Sequence, residues 1–268
     1  MEGKSTVGRE KLRRHLAGSS VNLFYVPALI LVTVFSVYPL FSGFALSLTN
    51  WDGLNPEKTF VGLANYVTML HDANFRTILV NTLIYGVGST IIQQVLGLAL
   101  ALLLNSKIRG RNALRAIIYL PALVSAVIMG TMYYLIFQYQ QGALNTILSA
   151  LGLQKVVWFN NPTTAVVIIL LVNSFQFCGT SMIIYLAGLQ GMDQSVVEAA
   201  SLDGATGWTK FWNITMPMLM PAFSTSVVLN LIGGLKLFDV IKVLTGGGPG
   251  YSTHSISTYI SSVYFDNQ

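Results

Sequence analysis

Charged side chains are scarce in this sequence. Lys, Arg, Asp and Glu together make up 9% of its 268 residues, whereas apolar residues make up 53%. A soluble domain carries roughly 25% charged residues, so the composition excludes an ordinary soluble fold. Between the charges lie apolar runs of about 20 residues or more, enough to cross ~30 Å of hydrocarbon as a helix. We therefore predict an all-α membrane protein, a polytopic helical bundle with five visible spans. The predicted spans are 21–48, 78–104, 116–137, 165–189 and 218–237.

Cysteine and histidine are also scarce. Cys178 is the only cysteine, so neither an internal disulfide nor a multi-cysteine metal site can form. The three histidines are His15, His71 and His254. The topology described next scatters them over both sides of the membrane, where they cannot converge on a metal or a nucleophile. We therefore expect no catalytic site and no metal site, which argues against a membrane-embedded enzyme.

The cations are unevenly distributed, and their positions predict the topology. Cytoplasmic loops of membrane proteins are enriched in Lys and Arg. We therefore expect a cytoplasmic N-terminal segment at 1–20, outside segments at 49–77 and 138–164, and a cytoplasmic segment at 190–217. Because the cations lie between spans, the net charge of +5 does not indicate nucleic acid as a partner. The cations that carry this argument are Lys4, Arg9, Lys11, Arg13, Arg14, Lys107, Arg109, Arg111 and Arg115.

The first apolar run could alternatively be a cleaved signal peptide. It is much longer than the ~7 to 15 apolar residues of a signal-peptide core. We therefore interpret residues 21–268 as one transmembrane domain. Glycines within its runs are expected to let helices pack closely, as small residues do in membrane bundles. These glycines are Gly86, Gly88, Gly97, Gly130, Gly179, Gly233 and Gly234.

The cytoplasmic segment 190–217 is the most informative connector. It is too polar to insert into the membrane and too apolar to be disordered, so we expect it to dock on a partner. A short helix is predicted at 195–202, where Ser195 and Glu198 have the spacing of a capping box. Gly204 then allows a turn.

A second short helix is predicted at 207–213, and Pro217 is expected to begin the next membrane helix. This second helix carries Trp208, Phe211 and Trp212. Large aromatic side chains of this kind serve as anchors in a partner's pocket. They also occur as a belt at the membrane interface, and the composition alone leaves both roles open.

The same segment contains a long spaced motif. Glu198-Ala199-Ala200 is followed after three residues by Gly204, after nine more by Ile214, and after one more by Met216-Pro217. This arrangement resembles the EAA motif of permease subunits of binding-protein-dependent ATP-binding-cassette importers, whose pattern is EAA-x3-G-x9-I-x-LP. Met216 is the one departure, because it stands where the family has leucine.

Other segments are similar to the sugar-permease branch of that family, the maltose and multiple-sugar type. Residues 60–66, 81–82, 115–121 and 244–253 resemble its FVGLxNY, NT, R-x5-P and LTGGGPG-x-ST elements. Together with the EAA motif, the resemblance covers nearly the whole chain. Family members carry a further, sixth span after the segment that matches 251–268, and five spans would leave the C-terminus outside.

The resemblance implies the fold and the partners of a type I importer. Two permeases, usually related but distinct, would pair in a bacterial-type plasma (inner) membrane, and two cytoplasmic ATPase subunits would dock on their EAA helices. An extracytoplasmic solute-binding protein would deliver a sugar, an oligosaccharide in this branch. ATP and Mg²⁺ would be bound by the ATPase subunits, and this chain, a transport subunit and no enzyme, would bind no cofactor. The resemblance implies that the following residues couple the chain to the ATPase: Glu198, Ala199, Ala200, Asp203, Gly204, Trp208, Phe211, Ile214 and Pro217.

Matching to maltose-type permeases also implies a substrate pathway. Polar groups at mid-membrane depth are costly and face a cavity or a partner helix, and amides beside aromatic rings suit hydroxyl-rich sugars. Hydrogen bonding between helices is the alternative role of each amide. Asn173 is the stronger candidate because it lies deep in an otherwise apolar run. The predicted pathway residues are Asn173, Gln176, Phe177, Thr180, Asn230, Gly233, Gly234 and Leu237.

Two rival functions stay open here: a secondary transporter, and an importer of a solute other than a sugar. A secondary transporter is expected to show internal repeats, broken helices at corresponding positions or several buried carboxylates, and none of these is visible in the sequence. The glycine-rich run 246–250 is no phosphate loop, because Gly-Lys-Ser/Thr does not follow it. We expect it to form an outer loop with positive backbone angles.

Overall fold

The structure is a computed structural model that describes residues 25–53, 56–106 and 108–266. The chain forms two compact units, Met1–Asp72 and Ala73–Gln268. Outside the described residues lie the predicted N-terminal segment 1–20 and the cations Lys4, Arg9, Lys11, Arg13, Arg14 and Lys107.

The first unit contains a long apolar helix and a short one. Helix α1, Tyr25–Ser47, has 23 residues and a mean hydropathy of 2.0, which suffices for a membrane span. None of its residues is buried within the chain. A π-helical turn at Thr33–Val37 ends two residues before Pro39, whose ring and missing N–H disturb regular helical bonding. The short helix α2, Ala64–His71, follows the loop.

Asn65 holds the loop of this unit together. Its Nδ2 donates to the backbone carbonyl oxygens of Ser47 at 2.9 Å and Thr49 at 2.8 Å. The Ser47 and Tyr66 hydroxyl oxygens lie 2.6 Å apart, and Thr49 forms an isolated antiparallel bridge with Phe60. The FVGLxNY element therefore fastens the short helix to the end of the long one.

The second unit is built on three long apolar helices. They are α3, Ala73–Asn105, α7, Pro162–Gln190, and α9, Gly207–Leu235. Helix α7 packs against both of the others, and its first turn is capped by Asn161, whose Oδ1 accepts the amides of Thr163 and Thr164. The shorter helices are α4, Arg111–Leu123, α5, Ala126–Phe137, α6, Ala143–Ala150, α8, Gln194–Leu202, α10, Asp239–Leu244, and α11, Ile256–Ser261, which continues as a π-helical turn at Ser262–Asp266.

Two hydrophobic clusters pack against opposite halves of α7. The first includes Ile169 and Val172 with Tyr85 of α3 and Ile241 of α10. The second includes Met182, Tyr185 and Leu189 of α7 with Leu104 of α3 and Leu219 of α9. Apolar burial of this kind holds the bundle at both ends of α7, and the polar residues of its middle lie between the clusters.

The third predicted span, 116–137, is broken. Helices α4 and α5 meet at an angle of 97°, because Pro121 lies near the end of α4 and Val124 and Ser125 adopt extended backbone. The break frees the carbonyl of Val124, which accepts a bond from Gln176 Nε2 at 3.2 Å. Four described helices are long and apolar enough to cross a membrane, and the bent pair would make a fifth span.

The expected break at Pro217 is absent. Residues Gly207–Leu235 form one continuous 29-residue helix, with a π-helical turn at Phe211–Thr215. Pro217 occupies the second position after that turn. The looser π turn supplies room for the proline ring, so the predicted separate helix at 207–213 is instead the first part of α9.

Most of the predicted packing glycines lie at close helix crossings. A Cβ on Gly234 would come within 2.7 Å of Ser89 Oγ and of the Tyr85 carbonyl oxygen, and one on Gly97 would come within 2.4 Å of Ser181 Cβ. A larger residue at either position would force the helices apart. Gly233 differs, because a Cβ there meets nothing within 4 Å.

The glycine-rich loop after α10 is tied to α3. Asn81 Nδ2 donates to the Ser252 carbonyl at 2.6 Å, and Thr82 Oγ1 accepts the amide of Ile256 at 2.9 Å. The NT element thus anchors the LTGGGPG-x-ST element, a link between parts of the chain that sequence reading did not make. The expected positive backbone angles are confirmed at Gly246, Gly247 and Gly250.

Candidate functional site

A cleft, which we call the membrane cleft, lies in the middle of the second unit, where α3, α7 and α9 meet. It encloses about 250 Å³, a little below the ~300 Å³ at which small-molecule pockets begin. Amides, a hydroxyl, an aromatic ring and glycine backbone share its wall. The lining residues are Gln93, Asn173, Phe177, Thr180, Leu229, Asn230, Gly233 and Gly234.

Six of the eight predicted pathway residues line this cleft. Gln176 and Leu237 do not: Gln176 bonds to the broken turn between α4 and α5, and Leu237 is buried in the first hydrophobic cluster. Gln93 and Leu229 line the cleft and were missed. Gln93 could have been found, because the Gln93-Gln94 pair interrupts an otherwise apolar run.

Gln93 and Asn173 form the polar floor of the cleft. The Gln93 side chain donates through Nε2 to the Asn173 carbonyl at 3.3 Å, while its Oε1 is buried with no hydrogen-bond partner among the described residues. Asn173 is 2% exposed. Leaving a buried polar atom unpaired costs about 1 to 3 kcal/mol. The floor therefore holds hydrogen-bonding capacity that no described residue uses.

Asn230 is engaged differently from Asn173. Its Nδ2 donates to Ser181 Oγ on α7 at 2.6 Å. For each amide, the sequence left open two roles, lining the pathway or hydrogen bonding between helices. Asn230 has the second role. Asn230 thus links α9 to α7 at the edge of the cleft, and Gly233, one turn further along α9, leaves space beside it.

A second candidate region, which we call the coupling segment after its predicted role, comprises α8 and the start of α9, residues 193–217. Asp193 caps α8: its Oδ1 accepts the backbone amide of Ser195 at 2.9 Å and the Ser195 hydroxyl at 2.7 Å. The Ser195 hydroxyl and then its backbone amide hold the pKa of Asp193 below its usual range. The predicted capping box of Ser195 and Glu198 is therefore wrong, because the cap lies two residues earlier.

The turn after α8 has the expected conformation. Gly204 has a φ of 83°, and its amide donates to the Ser201 carbonyl at 3.2 Å, while the amide of Ala205 donates to the Ala200 carbonyl at 2.9 Å. This pair of bonds is the Schellman arrangement, which requires a left-handed residue. Gly204 thereby sets the angle at which α9 leaves α8.

The two helices of the coupling segment are also linked by side chains. Lys210 Nζ on α9 donates to Ser201 Oγ on α8 at 2.8 Å. Next to it the rings of Trp208 and Phe211 stack at 5.9 Å, and Trp212 meets both of them edge-on, at 5.6 and 5.2 Å. The aromatic side chains therefore form one cluster rather than three separate contacts.

The coupling segment presents its apolar groups to the outside of the chain. Leu202 is 89% exposed and Trp208 is 74% exposed. Most predicted coupling residues lie on this surface, while Ala200 is buried. The exposed ones are Glu198, Ala199, Asp203, Gly204, Trp208 and Pro217, and the half-buried ones are Phe211 and Ile214.

Comparison with known proteins identifies the family. The family described as "Binding-protein-dependent transport system inner membrane component" matches residues 93–268, which include the cleft and the coupling segment. The chain belongs to this family. The match agrees with the EAA resemblance and with the long apolar helices.

Several relatives and solved structures are similar over most of the chain. The trehalose/maltose transport system permease protein MalF of Thermococcus litoralis is 37% identical over 90% of this chain and 82% of its own length. The lactose transport system permease protein LacF of Rhizobium radiobacter is 35% identical over 97% of this chain and 88% of its own. A crystal structure of a bacterial alginate ABC transporter contains a chain with a TM-score of 0.78, 25% identity and coverage of 96% of this chain and 86% of that one.

Proposed function

We propose that this chain is the membrane-spanning permease subunit of an ATP-binding-cassette importer for an oligosaccharide. The observation that carries the proposal is the agreement among its relatives. The Thermococcus and Rhizobium proteins are named as permeases for trehalose/maltose and for lactose, and the similar solved transporter is described with alginate. All three cargoes are carbohydrates.

The chemistry of the cleft supports a sugar. Its floor carries Gln93 Oε1, which has no partner within the part of the chain that the structure describes, and the buried Asn173. Phe177 adds a ring to the wall. Sugar hydroxyl groups both donate and accept hydrogen bonds, and a sugar ring packs its C–H face on aromatic side chains. Among residues 25–53, 56–106 and 108–266, no charged residue lines the cleft, so a neutral sugar fits better than an ionic solute.

The coupling segment supports the ATP-driven mechanism. Its exposed Leu202 and Trp208 suit a cytoplasmic ATPase subunit, since large apolar side chains are typical anchors of protein interfaces. Rigid links at Gly204 and Lys210 fix α8 to α9, and α9 runs without a break to Asn230 at the cleft. Movement of a docked ATPase would thus be transmitted along one helix to the cleft.

The remaining partners and the orientation follow from the same reasoning. We infer pairing with a second, distinct permease, two ATPase subunits carrying ATP and Mg²⁺, and an extracytoplasmic binding protein. We also infer an inner-membrane location with the N-terminus in the cytoplasm. The distribution of Arg109, Arg111 and Arg115 supports this orientation through the positive-inside rule.

The proposal is tested by reconstituting the complex. The chain is co-expressed with the permease, ATPase and binding protein encoded beside it, and ATP hydrolysis is measured in liposomes with and without binding protein and a panel of sugars and other solutes. We expect stimulation that needs both the binding protein and a sugar. Stimulation by a non-sugar solute alone would contradict the cargo, and solute transport by the purified chain without any ATPase would contradict the importer.

A further inference from the structure

The second unit contains another cleft, formed by the end of α5 and the residues that precede α7. We call it the outer cleft. It encloses about 500 Å³, within the ~300 to 1,000 Å³ typical of ligand pockets. Most of its lining residues belong to the segment 138–164, which the charge distribution predicts to lie outside. The lining residues are Tyr134, Phe137, Gln138, Tyr139, Gln140, Val157, Trp158, Phe159 and Asn160.

One wall of the outer cleft is aromatic and rests on the core. Phe137 meets Trp158 edge-on at 5.7 Å and Phe159 at 5.9 Å, and all three pack against the first hydrophobic cluster. Tyr139 stands at the rim and is about half exposed. The ring surfaces are therefore held in place before any ligand arrives, which lowers the entropy cost of binding.

A buried amide fastens the two sides of the outer cleft to each other. Asn145 is fully buried, and its Nδ2 donates to the carbonyls of Tyr139 at 3.1 Å and Val156 at 2.9 Å. Its Oδ1 accepts the amide of Val156 at 3.0 Å. Lys155 adds a bond from Nζ to the Gln140 carbonyl at 3.0 Å. These hydrogen bonds fix the two sides of the outer cleft to each other, so its shape is part of the fold.

Trp158, which forms part of this wall, carries one polar side-chain group, its indole N–H. Its Nε1 is buried and has no hydrogen-bond partner among the described residues. An indole N–H can only donate, and leaving it unpaired is unfavourable. A ligand oxygen entering the outer cleft would supply the missing acceptor.

We propose that the outer cleft is a second carbohydrate site, which holds one end of a neutral oligosaccharide outside the membrane. Ring faces would stack on Trp158 and Tyr139, the indole N–H would donate to a hydroxyl oxygen, and Gln138, Gln140 and Asn160 would bond further hydroxyls. None of the described residues that line the outer cleft is charged, which favours a neutral saccharide over a peptide segment. The proposal rests on the proposed function, since it assumes that a sugar reaches this side.

The test uses a maltotriose that carries a photoreactive diazirine, added to the complete complex in nanodiscs. Illumination is followed by peptide mapping, and excess unmodified maltotriose must compete with the labelling. We expect label in peptides within 134–160. Trp158→Phe keeps a ring on the core but removes the N–H, and it should reduce that labelling about fivefold, as expected for one hydrogen bond. Tyr139→Ala should also reduce the labelling of peptides within 134–160.

The matched control is Trp51→Phe, which makes the same chemical change outside the cleft and should leave the labelling of 134–160 unchanged. Labelling confined to the membrane cleft, at Gln93 and within 173–234, would overturn the second site while leaving the proposed function intact. No competed labelling in either region, with any sugar that is tried in the reconstitution, would contradict the proposed cargo itself. Weaker binding of the sugar-free binding protein to Tyr139→Ala, without sugar labelling, would replace the proposal with a protein-docking site.

Discussion

The membrane cleft buries a polar atom, whereas the coupling segment exposes large apolar side chains, and folded proteins usually avoid both arrangements. In the cleft, Gln93 has a buried polar atom without a partner in the described part of the chain, next to the buried Asn173. In the coupling segment, Leu202 and Trp208 keep large apolar side chains on the outside. Each arrangement is unfavourable for the chain alone. Each becomes favourable when something binds, a hydroxyl-rich molecule in the first case and an apolar protein pocket in the second.

The largest effect is expected where apolar groups are exposed. Trp208→Ala combined with Leu202→Asp should weaken association with the ATPase subunit about thirtyfold or more, because anchor residues of interfaces contribute about 2 kcal/mol or more each. Sugar labelling of the membrane cleft should persist. Co-purification and titration of the ATPase against the permease pair in nanodiscs measure the association.

The control for this variant is Phe265→Ala, which removes another exposed aromatic side chain from a different end of the second unit. It should leave ATPase binding as in the wild type. Equal losses in both variants would mean that the aromatic side chains of the coupling segment are ordinary contacts of the membrane interface, as in the belt alternative.

A smaller effect is expected for the two cleft asparagines, and its kind should differ between them. Asn173→Leu removes an amide that lines the cleft and should raise the KM for sugar uptake about tenfold, as loss of about one or two hydrogen bonds would. Thermal stability should change little. Asn230→Leu breaks the bond to Ser181 and should destabilise the fold by about 1 to 3 kcal/mol.

Uptake kinetics and thermal unfolding of the purified complex separate these two outcomes. If Asn173→Leu destabilises the complex and leaves the KM unchanged, Asn173 serves helix packing, and the contrast between the two amides disappears.

Gly204 tests how rigidly the coupling segment is built. Gly204→Val places a β-branched residue at a φ of 83°, which costs about 1 to 2 kcal/mol. The Schellman turn should open, and sugar-stimulated ATP hydrolysis should fall several-fold while ATPase binding weakens less. Gly152→Val is the matched control, because Gly152 has a φ of 75° and equally open space in the predicted outside segment. Equal losses would show strain in general, not a coupling role.

The smallest effect is expected at the cap of α8. Asp193→Ala removes the acceptor of both Ser195 bonds and should speed hydrogen exchange in the peptide that contains α8, while Asp193→Asn, which keeps an oxygen, should change it less. Because the pKa of Asp193 is lowered in the folded chain, the cap is fully present above the ordinary pKa of Asp and is lost as pH falls through the lowered value. Exchange at neutral pH therefore measures the intact cap.

Much of the fold could be predicted from the sequence because bilayer length and apolar composition constrain it. Linear motifs also located the coupling segment, since α8, Gly204 and α9 are neighbours in the chain. The errors were local. The cap was placed at Ser195 instead of Asp193, and Pro217 was expected to begin a helix because the π turn before it leaves no signature in residue spacing.

The membrane cleft was harder to predict because three distant helices build it. Asn173 was predicted to face the cleft because it is an amide in an otherwise apolar run. Gln93 is also an amide in such a run, but it was not predicted. Gln176 also carries an amide, yet its Nε2 donates to the Val124 carbonyl at the break between α4 and α5. Which amide faces the cleft depends on helix rotation, which spacing along one apolar run does not determine.

The most direct test of the account is uptake of a labelled oligosaccharide into proteoliposomes that contain the complete complex. ATP is trapped inside, the binding protein is added outside, and the sugar is the one that best stimulates ATP hydrolysis. The account predicts accumulation that requires ATP and binding protein together and is lost with Trp208→Ala and Leu202→Asp. Accumulation that persists without ATP, or that an ion gradient drives instead, would contradict it.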